Sequence, residues 1–231
     1  MMTPKSRLGA CAIAAFILGV ALGHVVFHHQ PERNINQLQG VIVPVLSLDV
    51  YDAEGRLVKS IVKVGDPPTL NFIKILLHIF WNQEENKEIH NRTVVAMDGS
   101  SYTVGEGGHS VYYGTVAGVA VVSAKVILGN GTTPFSIDQY ALSGTWTQDV
   151  PVHYYAAYYN STHMWTLYEA TWTNNLGADK DVTEVGLAIY WYYSGTVAKW
   201  FLIFRDVLSN PVTVPDGGAL VVRYYIYVRY G

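Results

Sequence analysis

Twelve residues close to the end of the sequence, Ala219 to Tyr230, alternate without interruption between two kinds of side chain. The even-numbered positions are apolar or aromatic throughout, at Leu220, Val222, Tyr224, Ile226, Val228 and Tyr230. From residue 221 onward the odd-numbered positions carry a valine, two tyrosines and two arginines, at Val221, Arg223, Tyr225, Tyr227 and Arg229. A period of two places successive side chains on opposite faces of a β-strand. We predict one face in the core and one half covered by a neighbour, with arginine stems across tyrosine rings.

Most of the chain from residue 40 onward has the same strand-like character. Runs of β-branched and aromatic residues are separated by turns rich in Gly, Asn, Asp and Pro, which predicts a series of strands. The predicted strands are Val41 to Val50, Arg56 to Val64, Thr93 to Met97, Val116 to Leu128, Val152 to Tyr159, Met164 to Trp172, Val182 to Tyr193 and Val197 to Arg205. The first two are predicted to form a hairpin through residues 52–55.

A single segment has helical periodicity. Its apolar residues recur three and four positions apart, at Phe72, Ile73, Leu76, Leu77 and Phe80. Thr69 is a good N-cap, and a polar run from Asn82 ends the pattern, so we predict one amphipathic helix over about 69–81. One helix among many strands predicts the all-β class. We expect a two-sheet sandwich or jelly roll, with the helix capping one open end.

The N-terminal region has the layout of an export signal. Lys5 and Arg7 precede twenty residues without a charge, Leu8 to Phe27. Small residues lie just before a predicted cleavage between Gly23 and His24, so we predict secretion. An uncleaved membrane anchor is the alternative, since twenty residues span roughly 30 Å of hydrocarbon. The predicted organisation is a signal peptide or anchor over 1–23, a polar segment over 24–39 and a single β-sandwich domain over 40–231.

Composition narrows the class of protein. Half of the residues are hydrophobic and 14% are charged, which argues against disorder. The net charge is −3 and no basic block occurs, so nucleic acid is not an expected partner. The one cysteine, Cys11, lies inside the leader, which excludes disulfides from the exported part. An exterior location also fits three acceptor sequons for glycosylation, at Asn91, Asn130 and Asn160.

Motifs for catalysis are absent from the sequence. There is no Gly-x-Ser-x-Gly elbow, no phosphate-binding loop and no His-Glu-x-x-His, so we do not expect an enzyme. Single acids such as Glu169 and Glu184 leave a two-carboxylate glycosidase as the enzymatic alternative.

The loop that follows residue 173 is the best metal candidate. It concentrates oxygen ligands of the kind that calcium prefers, with Asp179, Asp181 and Glu184 as candidates. However, Lys180 opposes a cation, and the loop lacks the spacing of an EF-hand. Asn, Gly and Asp are also the residues that any tight turn selects, so we expect a plain turn and no cofactor.

Two clusters of aromatic residues occupy both faces of their predicted strands, and one core face cannot absorb both sets. They are Tyr154, Tyr155, Tyr158 and Tyr159, and Tyr190, Trp191, Tyr192 and Tyr193. Exposed aromatics are common to protein interfaces and sugar-binding platforms. We predict an aromatic interface, with a thick aromatic core as the alternative.

The C-terminal third of the chain carries a family resemblance over roughly residues 173–230. Its motifs are Thr183-Glu184-Val185-Gly186-Leu187, Arg205-Asp206, Pro215-Asp216-Gly217-Gly218 and the closing strand Leu220 to Val228. This region resembles structural β-domains in tail and virion proteins of phages and archaeal viruses. It is also similar to exported filament subunits, such as archaeal bundling pili and bacterial biofilm fibres. The resemblance implies an assembly role without catalytic residues, and a jelly roll completed by an N-terminal strand of the next subunit.

The leading hypothesis is therefore an exported structural subunit that polymerises with itself, in a surface filament, a pilus or a virion. Strand donation would use an apolar assembly strand formed by Val41, Ile42, Val43, Val45, Leu46, Leu48 and Val50. The alternative for this segment is an ordinary first strand paired within its own domain. The second hypothesis is a membrane-anchored module that binds carbohydrate or a host surface, with residues 8–27 in the membrane and the tyrosines as its platform.

Overall fold

The computed structural model describes residues 42–81, 92–104, 121–161, 163–194 and 197–229. These residues form eleven strands and one helix, and the predicted all-β class is confirmed. The strands are β1 (Ile42–Tyr51), β2 (Leu57–Val64), β3 (Arg92–Val95), β4 (Ser101–Val104), β5 (Val121–Gly129), β6 (Thr147–Pro151), β7 (Tyr154–Tyr159), β8 (His163–Thr173), β9 (Lys180–Ser194), β10 (Val197–Val214) and β11 (Ala219–Arg229). The helix, α1, covers Leu70–Trp81.

The strands form two main sheets and one small hairpin, and every pairing is antiparallel. A five-stranded sheet has the order β2-β1-β11-β8-β7, and a four-stranded sheet has the order β10-β9-β5-β6. The chain supplies hairpins to the two sheets in turn: β1–β2, then β5–β6, then β7–β8, then β9–β10. The last strand, β11, returns to the first sheet and lies between β1 and β8.

The two main sheets share one hydrophobic core. Each contributes apolar side chains from one face, for example Leu46, Leu48, Leu220 and Tyr224 from the first sheet and Val126, Leu187, Phe201 and Phe204 from the second. The core face predicted for β11 is confirmed at Leu220, Val222 and Tyr224, which are all buried. Burying each such side chain contributes roughly 1.5–3 kcal/mol, so this shared core holds the two sheets together.

The predicted assembly strand is a central strand of its own sheet. β1 pairs with β11 from Ile42 to Tyr51, and with β2 on its other side. Its assembly residues within the described part of the chain are buried: Ile42, Val43, Val45, Leu46, Leu48 and Val50. Val41 lies outside the described residues. Of the two alternatives for this segment, the chain in this structure adopts the ordinary first strand.

Helix α1 begins where the sequence predicts. Thr69 accepts a hydrogen bond from the backbone N–H of Phe72 at 3.5 Å, and its hydroxyl donates to the Leu202 carbonyl at 2.7 Å. The ring of Phe72 packs against Phe204 of β10, with centroids 5.1 Å apart. α1 therefore lies against β10, and its first turn is anchored to that strand.

Two strand boundaries differ from the prediction. The segment predicted as one strand, Val152 to Tyr159, begins with a break, because Pro151 ends β6 and the chain crosses to the other sheet before β7. Strand β10 continues past the predicted end at Arg205 to Val214. The Asn210-Pro211 pair, which resembles a stop signal, lies where the register with β9 shifts between Val207 and Val212.

A buried carboxylate joins the two sheets along one side. Asp206 of β10 accepts a hydrogen bond from the Asp66 backbone N–H at 2.8 Å and lies 3.1 Å from the Lys63 ammonium. Its second oxygen, Oδ2, has no hydrogen-bond partner among the described residues. Burial raises the pKa of the Asp206 carboxyl, and the charge of Lys63 opposes that shift only in part.

We predict that Asp206→Asn raises the thermal stability of the chain at pH 7.5. The raised pKa means that folding favours the protonated acid. The stability that the Asp206 carboxyl contributes in the parent chain is therefore fully present below about pH 4 and is lost as pH rises through the folded-state pKa. The melting temperature of the variant should exceed that of the parent at pH 7.5, and the gap should close towards pH 4. Circular dichroism melts at the two pH values measure the gap.

The control for this experiment is Asp138→Asn. The Ser136 hydroxyl lowers the pKa of the exposed Asp138 carboxyl, so this variant should lose stability at pH 7.5 relative to low pH, the opposite sign. A gap for Asp206→Asn that is equal at both pH values would contradict the assignment.

Candidate functional site

The five-stranded sheet has a second face that points away from the shared core, and we call it the outer face. It carries the β11 residues Val221, Arg223, Tyr225 and Tyr227, all half-buried as the alternation predicts. In register with them lie Val43 and Val45 of β1 and Trp165 and Leu167 of β8. The outer face divides into a polar row and an aromatic row, both of which run across the strands.

The polar row contains Ser60, Asp49, Arg223, Glu169 and His153, and it crosses the full width of the sheet. Ser60 donates to Asp49 at 2.6 Å, and the Arg223 guanidinium bonds Asp49 and Glu169 at 2.5 Å each. The His153 ring nitrogen Nε2 lies 3.2 Å from the other Glu169 oxygen. Arg223 therefore holds two carboxylates, whereas its stem was predicted to lie across tyrosine rings. Its cross-strand neighbours explain the difference, because Glu169 is directly opposite it.

The charged groups of the polar row have partners on adjacent strands. The Ser60 hydroxyl has the largest effect on Asp49 and lowers its pKa, burial opposes this shift, and the Arg223 guanidinium lowers the pKa further. Partial burial lowers the pKa of the Arg223 guanidinium, yet its two carboxylate partners raise that pKa overall. The row is suited to holding the strands in register and to hydrogen bonding at a surface.

The aromatic row contains Tyr158, Trp165 and Tyr227, in register on three adjacent strands. Tyr158 stacks on Trp165 with ring centroids 5.3 Å apart, and Trp165 stacks on Tyr227 at 6.0 Å. Tyr225 extends the row along β11, 6.0 Å from Tyr227. The row ends at β7, the edge strand, so the outward side of Tyr158 has no further strand beside it among the described residues.

Strand β7 carries the first predicted aromatic cluster, and all four tyrosines are exposed. Tyr154 and Tyr158 lie on the outer face, where their hydroxyls are 3.2 Å apart. Tyr155 and Tyr159 lie on the opposite face, yet they are 79% and 83% exposed. That face is the core face in the centre of the sheet. The four-stranded sheet therefore does not cover β7, and the strand projects beyond the core.

The second predicted aromatic cluster is not an exposed interface where the structure describes it. Trp191 is buried and packs edge-on against Phe201, with centroids 5.8 Å apart. Tyr190 is half-buried against Trp200, at 5.1 Å. The prediction was wrong for Trp191, because β9 lies between β10 and β5 and one of its faces is the core. The side chains of Tyr192 and Tyr193 are outside the described residues.

The predicted calcium ligands do not converge. No group of three metal-ligating acids, histidines or cysteines occurs within the described ranges, Asp179, Asp181 and Glu184 included. Asp179 accepts a hydrogen bond from the Asp216 backbone, and Asp181 accepts one from the Thr213 hydroxyl. Glu184 is fully buried in a different environment. The loop is a turn that joins β8 to β9, which was the preferred interpretation.

Glu184 is bound by Arg205, and neither side chain is accessible to solvent. Arg205 donates to Glu184 Oε2 from Nε at 2.9 Å and from Nη2 at 2.6 Å. The other Glu184 oxygen accepts from the backbone N–H groups of Gly131 at 2.9 Å and Gly144 at 2.7 Å. Arg205 also donates to the Thr133 carbonyl at 3.0 Å. The pair therefore fixes the long connection between β5 and β6 to the centre of the four-stranded sheet.

Glycine is required where this connection meets the acid. A Cβ atom at Gly131 would lie 2.3 Å from the carboxylate of Glu184 and 2.2 Å from the Ser143 hydroxyl. This ion pair was not predicted from the sequence. The available signal was the charged pair Arg205-Asp206 within an otherwise apolar run, since charges inside a core strand are almost always paired.

Some of the remaining predicted site residues lie outside the part of the chain that the structure describes. Gly23, His24 and Asn91 are not among the described residues. Asn130 is exposed, and its side chain accepts a hydrogen bond from the Trp146 backbone at 2.9 Å. Asn160 is exposed directly after β7.

Comparisons with known proteins identify no relative of this chain. No protein-family model, curated protein or solved structure matches the chain. Within the described ranges, no helix has both the length and the apolar character needed to cross a membrane. The candidate functional site is therefore defined by its geometry alone: the outer face, with the projecting strand β7 at its edge.

We predict that Glu184→Gln lowers the free energy of unfolding by at least about 3 kcal/mol, because it leaves the buried charge of Arg205 uncompensated. Chemical denaturation followed by tryptophan fluorescence measures this quantity. The matched control is Glu54→Gln, whose side chain is 66% exposed and pairs with Arg56. The control should change stability by no more than about 0.5 kcal/mol. Equal effects for the two variants would show that the buried pair does not anchor the β5–β6 connection.

Proposed function

We propose that the chain is an extracytoplasmic structural subunit that assembles with copies of itself, in a surface filament, a pilus or a virion. The observation that carries this proposal is the distribution of exposed apolar side chains. They concentrate on the two edge strands of the five-stranded sheet, with tyrosines along β7 and Leu57, Val58, Val62 and Val64 along β2. Contiguous exposed apolar surface on a folded domain is typical of an interaction site.

The N-terminal pattern supports the extracytoplasmic part of the proposal. A basic start, an uncharged stretch over 8–27 and small residues before His24 are the features of a leader. The sequons at Asn130 and Asn160 lie at exposed positions, which suits a glycosylated exterior. We also propose the jelly-roll class for the domain, because hairpins supplied alternately to two sheets and a returning last strand are compatible with it.

Contact through sheet edges accounts for assembly better than donation of β1 does. β1 is bonded on both sides within its own chain, so donating it to a neighbour requires an exchange against the intramolecular copy. An edge strand has one row of backbone groups without a partner and can add a strand with no such exchange. We therefore assign assembly to the edges and leave β1 as the scaffold.

The proposal predicts that the chain, expressed from its full sequence and purified after export, forms regular fibres or tubes. Negative-stain microscopy shows the particles, light scattering gives their mass, and N-terminal sequencing tests cleavage before His24. A chain that stays monomeric at high concentration would contradict the structural role, whether or not the leader is removed.

A second candidate function has its own observation in support. The aromatic row and the polar row together place tryptophan and tyrosine rings beside hydrogen-bonding groups on one face, a combination that suits a carbohydrate-binding surface. A membrane-anchored or secreted module that binds glycans with the outer face is therefore the alternative. It differs from the first proposal in requiring saturable binding by a single copy.

For that alternative, Trp165→Ala should weaken glycan binding at least about tenfold, because Trp165 is the centre of the row. Trp172→Ala is not a suitable control because that side chain is in the core. Tyr140→Phe, at an exposed tyrosine outside the outer face, is the matched control and should bind like the parent. A glycan array followed by calorimetry gives the measurement. No saturable binding by the parent chain would remove this candidate.

A further inference from the structure

We propose that the free edge of β7 pairs with β7 of a second copy, antiparallel and about a two-fold axis through Ala156. The two five-stranded sheets then form one sheet of ten strands. This inference rests on the proposed function of self-assembly and names its first contact. Three observations support the proposed pairing: the composition of β7, its position in the fold and the area that it exposes.

β7 differs from the other edge strands of the two main sheets because, among the described residues, nothing protects its free edge from pairing with another strand. The edge strand β2 carries Lys59 and Lys63, and their ammonium groups donate to backbone carbonyls of β10. Those contacts also cover the free edge of β10. β6 contains Asp149 and ends at Pro151. Charges and prolines of this kind are how natural edges avoid pairing. β7 has neither, and among the described residues its backbone pairs only with β8.

The sequence of β7 is complementary to itself. It reads Tyr-Tyr-Ala-Ala-Tyr-Tyr from Tyr154 to Tyr159. A two-fold axis perpendicular to the sheet keeps both outer faces on one side, so it must pair even-numbered residues with even-numbered residues. The axis therefore passes through Ala156 or Ala157. Each register makes one kind of tyrosine pair, Tyr154 with Tyr158 about Ala156 or Tyr155 with Tyr159 about Ala157, and an alanine lies on the axis.

The aromatic row selects the register through Ala156. In that register Tyr158 lies opposite Tyr154 of the second copy, on the outer face. The stack Tyr227–Trp165–Tyr158 ends at β7 in the single chain. In the dimer, Tyr158 of each copy would extend the stack onto Tyr154 of the other copy. Cross-strand aromatic pairs stabilise antiparallel sheets by roughly 0.2–1 kcal/mol each. The register through Ala157 instead pairs Ala156 with Tyr158 and interrupts the stack.

The exposed area is sufficient for a specific contact. The four tyrosines of β7 are between 43% and 83% exposed. At about 200 Å² for each tyrosine side chain, they offer about 500 Å² per copy. Burying this area on both copies gives about 1,000 Å², the lower bound for a specific protein interface. The strand has no charged residue, so no like charges meet across the axis. Because a two-fold contact closes on itself, a fibre needs a second interface, for which the valines of β2 are available.

Cysteine cross-linking tests the pairing and its register. In a Cys11→Ser background, Ala156→Cys places two thiols opposite each other, with Cα atoms about 4.5–5.5 Å apart, within the range of a disulfide. A mild oxidant should convert most of this variant into a covalent dimer. Ala157→Cys separates the two Cα atoms by more than about 7 Å in the same register and should not cross-link. Leu176→Cys, at an exposed position between β8 and β9 and on neither edge strand, is the control for random collision.

A second measurement uses charge to close the edge. Tyr155→Lys changes a side chain that is already 79% exposed, so the fold should survive, which a circular dichroism melt checks. It should raise the dimer dissociation constant at least about tenfold in sedimentation equilibrium. Leu176→Lys, at a position 50% exposed on neither edge strand, is the matched control and should leave the dimer intact.

The outcomes separate this inference from the proposed function. Cross-linking at Ala156 alone, with dimers lost in Tyr155→Lys, supports the β7 contact. Equal cross-linking at Ala156 and Leu176, or a dimer that persists in Tyr155→Lys, overturns it. Fibres that form without cross-linking at Ala156 keep the structural role and reject β7 as its contact. Dimers without fibres support β7 and reject the filament.

Discussion

The pairing of β1 with β11 is the constraint on which the rest of the structure depends. These are the first and last strands of the described chain, and β11 also pairs with β8, so it joins the hairpin β1–β2 to the hairpin β7–β8. The five-stranded sheet is complete only when the C-terminal strand is in place, and such long-range pairing is typical of slowly folding β-proteins. Insertion of β11 in the centre also places β2 and β7 at the edges. The exposed tyrosines of β7 thus follow from the topology.

Side-chain alternation predicts which face of a strand a residue occupies, and it does not predict what covers that face. The faces of β11 and the start of α1 were therefore predictable. The two aromatic clusters look alike in sequence, yet Trp191 is buried and Tyr159 is exposed, because β9 lies inside its sheet and β7 lies at an edge. Glu184 was misleading for a related reason. Its partners are Arg205 on the next strand and backbone N–H groups of a loop distant in sequence. The residues close to Glu184 in the sequence indicate neither partner.

The ionic groups of the domain divide into those that build the fold and those that leave a surface for contact. Arg205 and Glu184 anchor the β5–β6 connection, and Lys63 and Asp206 join the sheets along one side. On the outer face, Arg223 satisfies both of its carboxylates within one chain. In the described structure, the tyrosines of β7 stay exposed and the outward backbone groups of that strand have no strand to pair with. Assembly through that edge would complete hydrogen bonding that the single chain leaves open.

The most direct test of this account is hydrogen–deuterium exchange of the purified chain over a range of protein concentrations. Edge strands exchange quickly in a monomer, and pairing with another strand protects their amides. The account predicts that the peptide containing Tyr154–Tyr159 becomes protected as concentration rises, while the peptide containing the core strand β9 keeps the same protection. Exchange in β7 that does not depend on concentration would contradict the central claim that this edge is where copies of the chain meet.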